Sequence, residues 1–80
     1  MYLQENIKNL RKYKSMNQEK LAELVGVKRS SIGAYEEGRA EPPIGTLNKM
    51  AKVFGITLDD LINRQLLTRT EKVLFKDGEL

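Results

Sequence analysis

Apolar residues recur every three or four positions through most of the chain, which is the spacing of one buried face on an α-helix. Leu3, Ile7 and Leu10 define the first such face and predict a helix from about Tyr2 to Tyr13. The same spacing indicates four more helices, over about residues 18–25, 29–37 and 44–54 and in the segment after residue 57. Five short helices with short connections predict a compact all-α domain.

Residues with distinct backbone preferences mark where these helices begin and end. Asn17 is a good N-cap for the second helix, and Thr57 with Asp60 forms a capping-box pattern at the start of the fifth. A glycine follows the second, third and fourth helices, where the left-handed conformation that ends a helix costs glycine little. These glycines are Gly26, Gly38 and Gly55.

The segment from Gln18 to Glu37 has the pattern of two helices that cross steeply at a tight turn. Its fifth position is the small residue Ala22, where the helices touch, and its ninth is Gly26, in the turn. Apolar residues fill the core-facing positions, which are Leu21, Val25, Val27, Ile32 and Tyr35. This arrangement predicts a helix-turn-helix whose second helix is suited to a DNA major groove.

The tail, residues 64–80, is less regular than the helical part, residues 1–63. Val73 to Phe75 favour a strand, and Asp77-Gly78 is a favoured hairpin turn, but only two residues follow that pair. Two hypotheses stay open. Either the chain is the N-terminal part of a longer protein and the tail is a linker to a missing domain, or the strand pairs with a second copy of the chain.

Composition argues against several classes of function. The chain of 80 residues has neither cysteine nor histidine, so it lacks the commonest general base and the thiolate and imidazole ligands of metal sites. Ser30 and Ser31 have no histidine to activate them, and we expect neither an enzyme nor a bound metal or cofactor. No apolar run is long enough to span a membrane, and the absence of cysteine permits a reducing compartment. We therefore expect a cytoplasmic protein that binds no membrane, and the sequence gives no sign of a small-molecule ligand.

The formal net charge of +3 is only mildly basic, and its distribution is more informative. Basic residues crowd the first helix and bracket the third. They are Lys8, Arg11, Lys12 and Lys14, then Lys28, Arg29 and Arg39. Beside a helix-turn-helix, such residues are suited to the phosphates of a nucleic acid.

Three stretches together resemble the Cro/lambda-repressor-like regulators of bacteria and phages, also called the xenobiotic-response-element (XRE) family. They are LRKYKSMNQEKLAELVGV, SSIGAYEEGRAEPP and LNKMAKVFGITLDDL, and the resemblance covers about residues 5–63. It implies a five-helix domain that binds double-stranded operator DNA to regulate transcription. We therefore expect a sequence-specific regulator of transcription, and among such regulators a repressor. An antitoxin or another protein-interaction module with the same fold is the alternative.

The resemblance also implies a homodimer on a near-palindromic operator. We expect the dimer to form through the fifth helix and the tail. The apolar positions concerned are Leu58, Leu61 and Ile62, together with residues 66–75.

In such domains the first turn of the third helix faces the base edges. Arg29 is the best candidate for base readout, because its guanidinium can donate two hydrogen bonds to one guanine. Gln18 begins the second helix, where the family's glutamine commonly binds a phosphate. Gly33 with Ala34 would leave a smooth patch for close approach. The DNA-contacting set that the resemblance implies is Gln18, Lys28, Arg29, Ser30, Ser31, Gly33, Ala34 and Arg39.

Arg11 and Glu36 have a structural interpretation. Glu36 lies in the last turn of the third helix, where a carboxylate opposes the helix dipole. The resemblance implies that Arg11 of the first helix pairs with Glu36, partly buried, and holds the third helix at its docking angle. Leu24 occupies a place that is usually polar in the family, and we expect its side chain to be exposed.

Overall fold

The computed structural model describes residues 2–69 and 72–75, which form five α-helices followed by two short strands. The helices are α1 (Leu3–Tyr13), α2 (Gln18–Val25), α3 (Arg29–Glu37), α4 (Ile44–Phe54) and α5 (Leu58–Asn63). The strands are β1 (Leu66–Arg69) and β2 (Lys72–Phe75). The five predicted helices are confirmed. α1 begins one residue later than predicted, because Tyr2 is non-helical and donates its backbone N–H to Ile62 O at 3.0 Å.

The apolar faces of all five helices meet in one core. Each helix supplies at least one side chain with no exposed surface. These side chains are Ile7, Leu10, Leu21, Ile32, Met50 and Leu61. Burial of such a side chain contributes about 1.5–3 kcal/mol relative to exposure, so this shared core is the main source of stability for so short a chain.

The predicted signals are all present at the helix ends that they mark. Asn17 Oδ1 accepts the N–H of Lys20 at 2.8 Å, and Thr57 Oγ1 accepts the N–H of Asp60 at 3.0 Å. The glycines after α2, α3 and α4 have φ of 75°, 76° and 72°. α1 ends differently, because Ser15 takes a positive φ of 57° without being glycine.

After the five predicted helices, the tail forms two strands, β1 and β2, that pair as an antiparallel hairpin. The register joins Leu66 to Phe75 and Arg69 to Lys72. The strand predicted at Val73 to Phe75 is present, but it is the second arm of a hairpin within the chain. β1 escaped prediction because its sequence, LLTR, does not alternate and no Asn-Gly or Asp-Gly pair follows it. The predicted Asp77-Gly78 turn lies outside the described residues.

A buried asparagine connects the helices to this hairpin. Asn6 has no exposed surface. Its Nδ2 donates to Leu61 O at 2.9 Å and to Arg64 O at 2.6 Å, while its Oδ1 accepts the N–H of Leu66 at 3.1 Å. Asn6 thereby satisfies carbonyls that the end of α5 leaves open. Leu66 itself is 1% exposed, so the core continues past Asn63 into the first residue of β1.

Asn6→Ala should lower the free energy of unfolding by roughly 3 kcal/mol, because two carbonyls and one N–H would lose their partner in the core. Urea unfolding followed by circular dichroism measures the change. Asn63→Ala is the matched control, since its bond to Asp59 Oδ1 lies at the surface, and it should cost less than about 0.5 kcal/mol. Equal losses in the two variants would contradict this role of Asn6.

Candidate nucleic-acid interface

α2 and α3 pack closely across a short turn. Ala22 is 2% exposed at their contact, and its carbonyl accepts the N–H groups of Gly26 and Val27. A larger side chain at Ala22 would separate the helices, and a residue other than glycine at Gly26 would be strained by its positive φ. The predicted helix-turn-helix is therefore present, with the predicted small residue and glycine at its turn.

The first turn of α3 presents polar side chains to solvent. Lys28, Arg29 and Ser30 are all exposed. Lys28 is the N-cap residue, and no side chain caps the first N–H groups of the helix. The positive end of the helix dipole and two cations thus lie together, an arrangement that favours an anionic ligand.

The other α3 residues that were predicted to contact DNA differ in how far they are exposed. Ser31 and Ala34 are partly buried, and Gly33 is buried. A Cβ added at Gly33 would lie 3.7 Å from Gln18 Oε1 and 3.9 Å from Gln18 Nε2, so the Gln18 amide covers this position. The smooth patch predicted at Gly33 and Ala34 is therefore wrong at Gly33, because Gln18 covers the backbone there.

Arg39 lies just beyond α3 and remains at the surface. Its Nε donates to Glu37 Oε1 at 2.8 Å, with both side chains more than half exposed. An exposed pair of this kind contributes about 0–1 kcal/mol, so Arg39 can exchange Glu37 for another anion at little cost.

Leu24 is 45% exposed, in agreement with the expectation from the sequence.

Hydrogen bonds connect four side chains in a line from α1 to the exposed end of α3. Arg11 Nε donates to Glu36 Oε2 at 2.7 Å, and Arg11 Nη2 donates to Glu36 Oε1 at 3.1 Å. Gln18 Nε2 donates to Glu36 Oε1 at 3.1 Å. Arg29 Nη1 then donates to Gln18 Oε1 at 2.8 Å. We call this set the α3 relay: Arg11, Glu36, Gln18 and Arg29.

The ion pair at the inner end of the relay is shielded from water. The side chains of Arg11 and Glu36 are 10% and 3% exposed. Burial acts to raise the pKa of Glu36, but hydrogen bonds from Arg11 and Gln18 and the charges of Arg11 and Lys8 outweigh it, so this pKa lies below its ordinary value of 4.5. Arg11 Nη1 also donates to Met16 O at 2.8 Å, which ties the turn before α2 to the same pair.

The contact between Gln18 and Arg29 was missed from the sequence. Both residues were predicted to face DNA, but separately, one toward a phosphate and one toward a base. They lie eleven positions apart on different helices, so no local spacing brings them together. The missed burial of Asn6 did have a signal, because Asn6 shares the helical face of Leu3 and Leu10.

Neither a metal-binding cluster nor a membrane-spanning helix is found among the described residues. No group of three acidic side chains in this part of the chain could hold a metal ion. Among the helices that the structure describes, none combines the length and the apolar character that crossing a membrane requires.

Comparison with known proteins identifies the family. The family model described as helix-turn-helix matches residues 7–61. The chain is 36% identical over 58 residues to the SPbeta prophage-derived uncharacterized HTH-type transcriptional regulator YonR of Bacillus subtilis (strain 168), covering 72% of this chain and 54% of YonR. It is 33% identical over 70 residues to the cryptic phage CTXphi transcriptional repressor RstR of Vibrio cholerae, covering 88% of this chain and 63% of RstR.

The fold has solved counterparts. The P22 c2 repressor, crystallised with a synthetic operator, aligns with a TM-score of 0.73 and 28% identity, covering 76% of this chain and 92% of that one. The chain belongs to the helix-turn-helix family, and the predicted Cro/lambda-repressor-like resemblance is confirmed. It spans less than two thirds of the length of either YonR or RstR.

Arg11→Ala should lower the free energy of unfolding by about 3–5 kcal/mol, because Glu36 would remain as a buried charge without its partner. Thermal and urea unfolding followed by circular dichroism measure this loss. Lys12→Ala removes an exposed cation from the neighbouring position and should have little effect. A melting curve of Arg11→Ala that matches wild type would refute the structural role of the pair.

The lowered pKa of Glu36 predicts an acid-dependent loss of stability. A carboxylate whose pKa is lowered by folding stabilises the fold fully above its unfolded pKa, near 4.5, and ceases to do so as the pH falls through its folded pKa. Glu36→Gln should therefore be less stable than wild type near neutral pH, and the difference should shrink as the pH falls below the unfolded pKa of 4.5 and through the lower folded pKa. Melting temperatures across this range test it. Glu37→Gln, which alters an exposed neighbour, should stay close to wild type, and a constant deficit of Glu36→Gln at every pH would contradict the linkage.

Proposed function

We propose that this chain is a sequence-specific regulator of transcription that binds double-stranded DNA and represses at a near-palindromic operator. The observation that carries the proposal is the exposed first turn of α3, where Lys28 and Arg29 stand beside uncapped helix N–H groups. The similarity to RstR, named as a phage repressor, and to the P22 c2 repressor bound to an operator supports it. The proposed role is binding in the cytoplasm, without catalysis.

The residues have distinct roles in this proposal. Arg29 reads a base, since its guanidinium can donate to O6 and N7 of a guanine in the major groove. Lys28 and Arg39 bind phosphates, which position α3 but carry no base information directly. Ser30 and Ser31 lie at the start of the same helix and donate to a phosphate or a base edge. Ala34, partly exposed, is suited to the methyl group of thymine.

The proposed regulator acts as a homodimer, with the α3 helices of the two copies in successive major grooves about 34–36 Å apart. α5 supplies part of the interface. Leu58 and Ile62 are only partly buried and keep apolar surface for a partner, whereas Leu61 and Leu66 lie in the core of their own chain. The contribution predicted for Leu61 and Leu66 is therefore withdrawn, and the remaining surface of α5 and the backbone of the hairpin supply the contact.

Selection of binding sites from random DNA tests the proposed function, and two variants test the roles. Arg29→Ala should relax the preference at one base pair of each half-site by about 5- to 150-fold, the equivalent of one bidentate base contact. Lys28→Ala should weaken binding to all sequences alike and reduce the slope of log affinity against log salt by about 0.9 per protomer. Fluorescence anisotropy at several salt concentrations measures both effects.

Lys52→Ala, which removes an exposed cation from the last turn of α4, is the control for loss of charge alone. The selected site also tests the dimer, because two inverted half-sites one helical turn apart are expected. Equal affinity of wild type for selected and random DNA at every salt concentration would refute the proposed function. A complex with one copy per site would refute the dimer, and co-purification of a second protein with loss of DNA binding would favour an antitoxin.

A further inference from the structure

We propose that a cavity between the start of α1 and the loop after α3 binds a small organic cation with a primary ammonium group. The cavity has a volume of about 360 Å³ and is lined by residues 2–5, by Tyr35 and by residues 40–42. This volume lies within the range of small-molecule sites, roughly 300–1,000 Å³. None of the residues assigned above to DNA lines the cavity, so the inference goes beyond the proposed function and does not depend on it.

Contacts between the surrounding elements hold the walls of the cavity in place. The backbone N–H of Tyr2 donates to Ile62 O at 3.0 Å. The amide of Gln4 lies against the backbone of Gly38, where an added Cβ would stand only 2.7 Å from Gln4 Nε2. Pro42 is buried, and its ring restricts φ in the loop. The cavity is therefore formed before a ligand arrives, and little loss of conformational freedom opposes binding.

Tyr35 brings an unpartnered hydroxyl to this cavity. The residue is only 8% exposed, and its side chain belongs to the core. Every fully buried side-chain N or O atom among the described residues has a hydrogen-bond partner, but the Tyr35 hydroxyl forms no hydrogen bond within that part of the chain. The hydroxyl therefore reaches the small accessible surface of Tyr35, which lines the cavity. There its oxygen can accept a hydrogen bond from a ligand.

Two carboxylates beside the cavity lack a cation of their own. Glu5 and Glu41 are exposed, and within the described part of the chain neither forms an ion pair. Arg39, the basic residue next to this loop, pairs instead with Glu37. Such a site is unusual in a chain of net charge +3. The cavity therefore has acceptors and negative charge but no positive side chain on its walls.

The two carboxylates differ in how much of their charge is left for a ligand. Glu5 lies in the first turn of α1, which has no side-chain cap, so the positive end of the helix dipole offsets part of its charge. Glu41 lies in the loop outside the helices. We expect Glu41 to contribute more than Glu5 to the binding of a cation.

These features favour an ammonium ion on an apolar body. An ammonium group has three donors, which suit two carboxylates and the Tyr35 hydroxyl. The face of a tyrosine ring attracts a cation, and Tyr2, at 38% exposed, offers its ring at the cavity. Leu3 and Pro42 add apolar surface for the rest of the ligand. An anion would be repelled by both carboxylates.

A titration with phenethylammonium, followed by amide NMR spectra, tests the proposal on the full chain. Its shifts should saturate with a Kd of about 0.1–10 mM and concentrate at the residues that line the cavity. Phenethyl alcohol has the same body without the charge and should bind about tenfold more weakly. Equal affinity for the two compounds, or shifts centred elsewhere on the protein, would overturn the proposal.

Variants of the cavity residues test the assigned contacts. Tyr35→Phe keeps the buried ring, removes the hydroxyl and should weaken binding of phenethylammonium by about 2- to 10-fold. Glu41→Gln changes an exposed side chain and should weaken it by about 2- to 5-fold, with a smaller loss for Glu5→Gln. Tyr13→Phe and Glu19→Gln make the same changes outside the cavity and should leave the affinity unchanged. Wild-type affinity in both Tyr35→Phe and Glu41→Gln would overturn the site.

A further arm of the titration separates a free amine from a side chain of another protein. The amide of Nα-acetyl-lysine carries its ammonium on a piece of peptide backbone and should bind no more tightly than phenethylammonium. Binding that is tighter by more than about tenfold would indicate a basic segment of a protein partner and overturn the small-molecule assignment. None of these outcomes bears on DNA binding, which the selection experiment tests separately.

Discussion

The buried pair of Arg11 and Glu36 is the constraint on which the position of α3 depends. Removing two charges from water is costly, and a pair of apolar residues of similar size would often stabilise a core as well or better. Apolar contacts, however, have no preferred direction, whereas two hydrogen bonds at 2.7 and 3.1 Å fix the carboxylate relative to the guanidinium. Arg11 also holds Met16 O, and Glu36 also holds Gln18. This one pair therefore fixes the positions of α1, the turn before α2, and α3 relative to one another.

α1 organises the rest of the domain through a second buried polar residue. Asn6 and Arg11 are five residues apart, which separates their directions by about 140° around the helix. Asn6 faces α5 and the start of β1, while Arg11 faces α3 and the turn before α2. The apolar core between them can tolerate exchanges of similar volume, but these two side chains each satisfy several specific atoms. α1 thus positions both α3, whose first turn is proposed to read DNA, and the β1–β2 hairpin.

The sequence predicted what depends on local spacing and missed what depends on distant partners. The five helices were predictable because apolar periodicity is a local pattern. Their ends were predictable because each cap acts within one turn of chain, as at Asn17, Thr57 and the three glycines. The bond from Arg29 to Gln18 and the cover over Gly33 each require proximity of α2 and α3 that no short window contains. The β1–β2 hairpin is local, and the sequence missed β1 because LLTR lacks alternation and is followed by no favoured turn pair. The positive φ at Ser15 was not predicted, because no glycine marks the end of α1, and the bond from Arg11 to Met16 O holds the chain directly after it. The proposed roles of the α3 residues toward DNA rest on exposure and charge, which local sequence indicates well.

Three local departures from helix preferences fall on α3, and only Glu36 has a partner within the fold that offsets its cost. Lys28 stands at the N-cap without a capping side chain, Gly33 lies in the helix interior, and Glu36 lies near the negative end of the dipole. Each costs roughly 0.5–1 kcal/mol by itself, a sizeable sum for a nine-residue helix. Glu36 is offset by Arg11. Gly33 lies beneath the Gln18 amide, but an added Cβ would meet that amide at ordinary contact distances of 3.7 and 3.9 Å, so nothing in the fold requires glycine there. Lys28 has no such compensation within the fold, which agrees with the phosphate contact proposed for it. Local inconsistency of this kind is expected where a helix serves binding in place of its own stability.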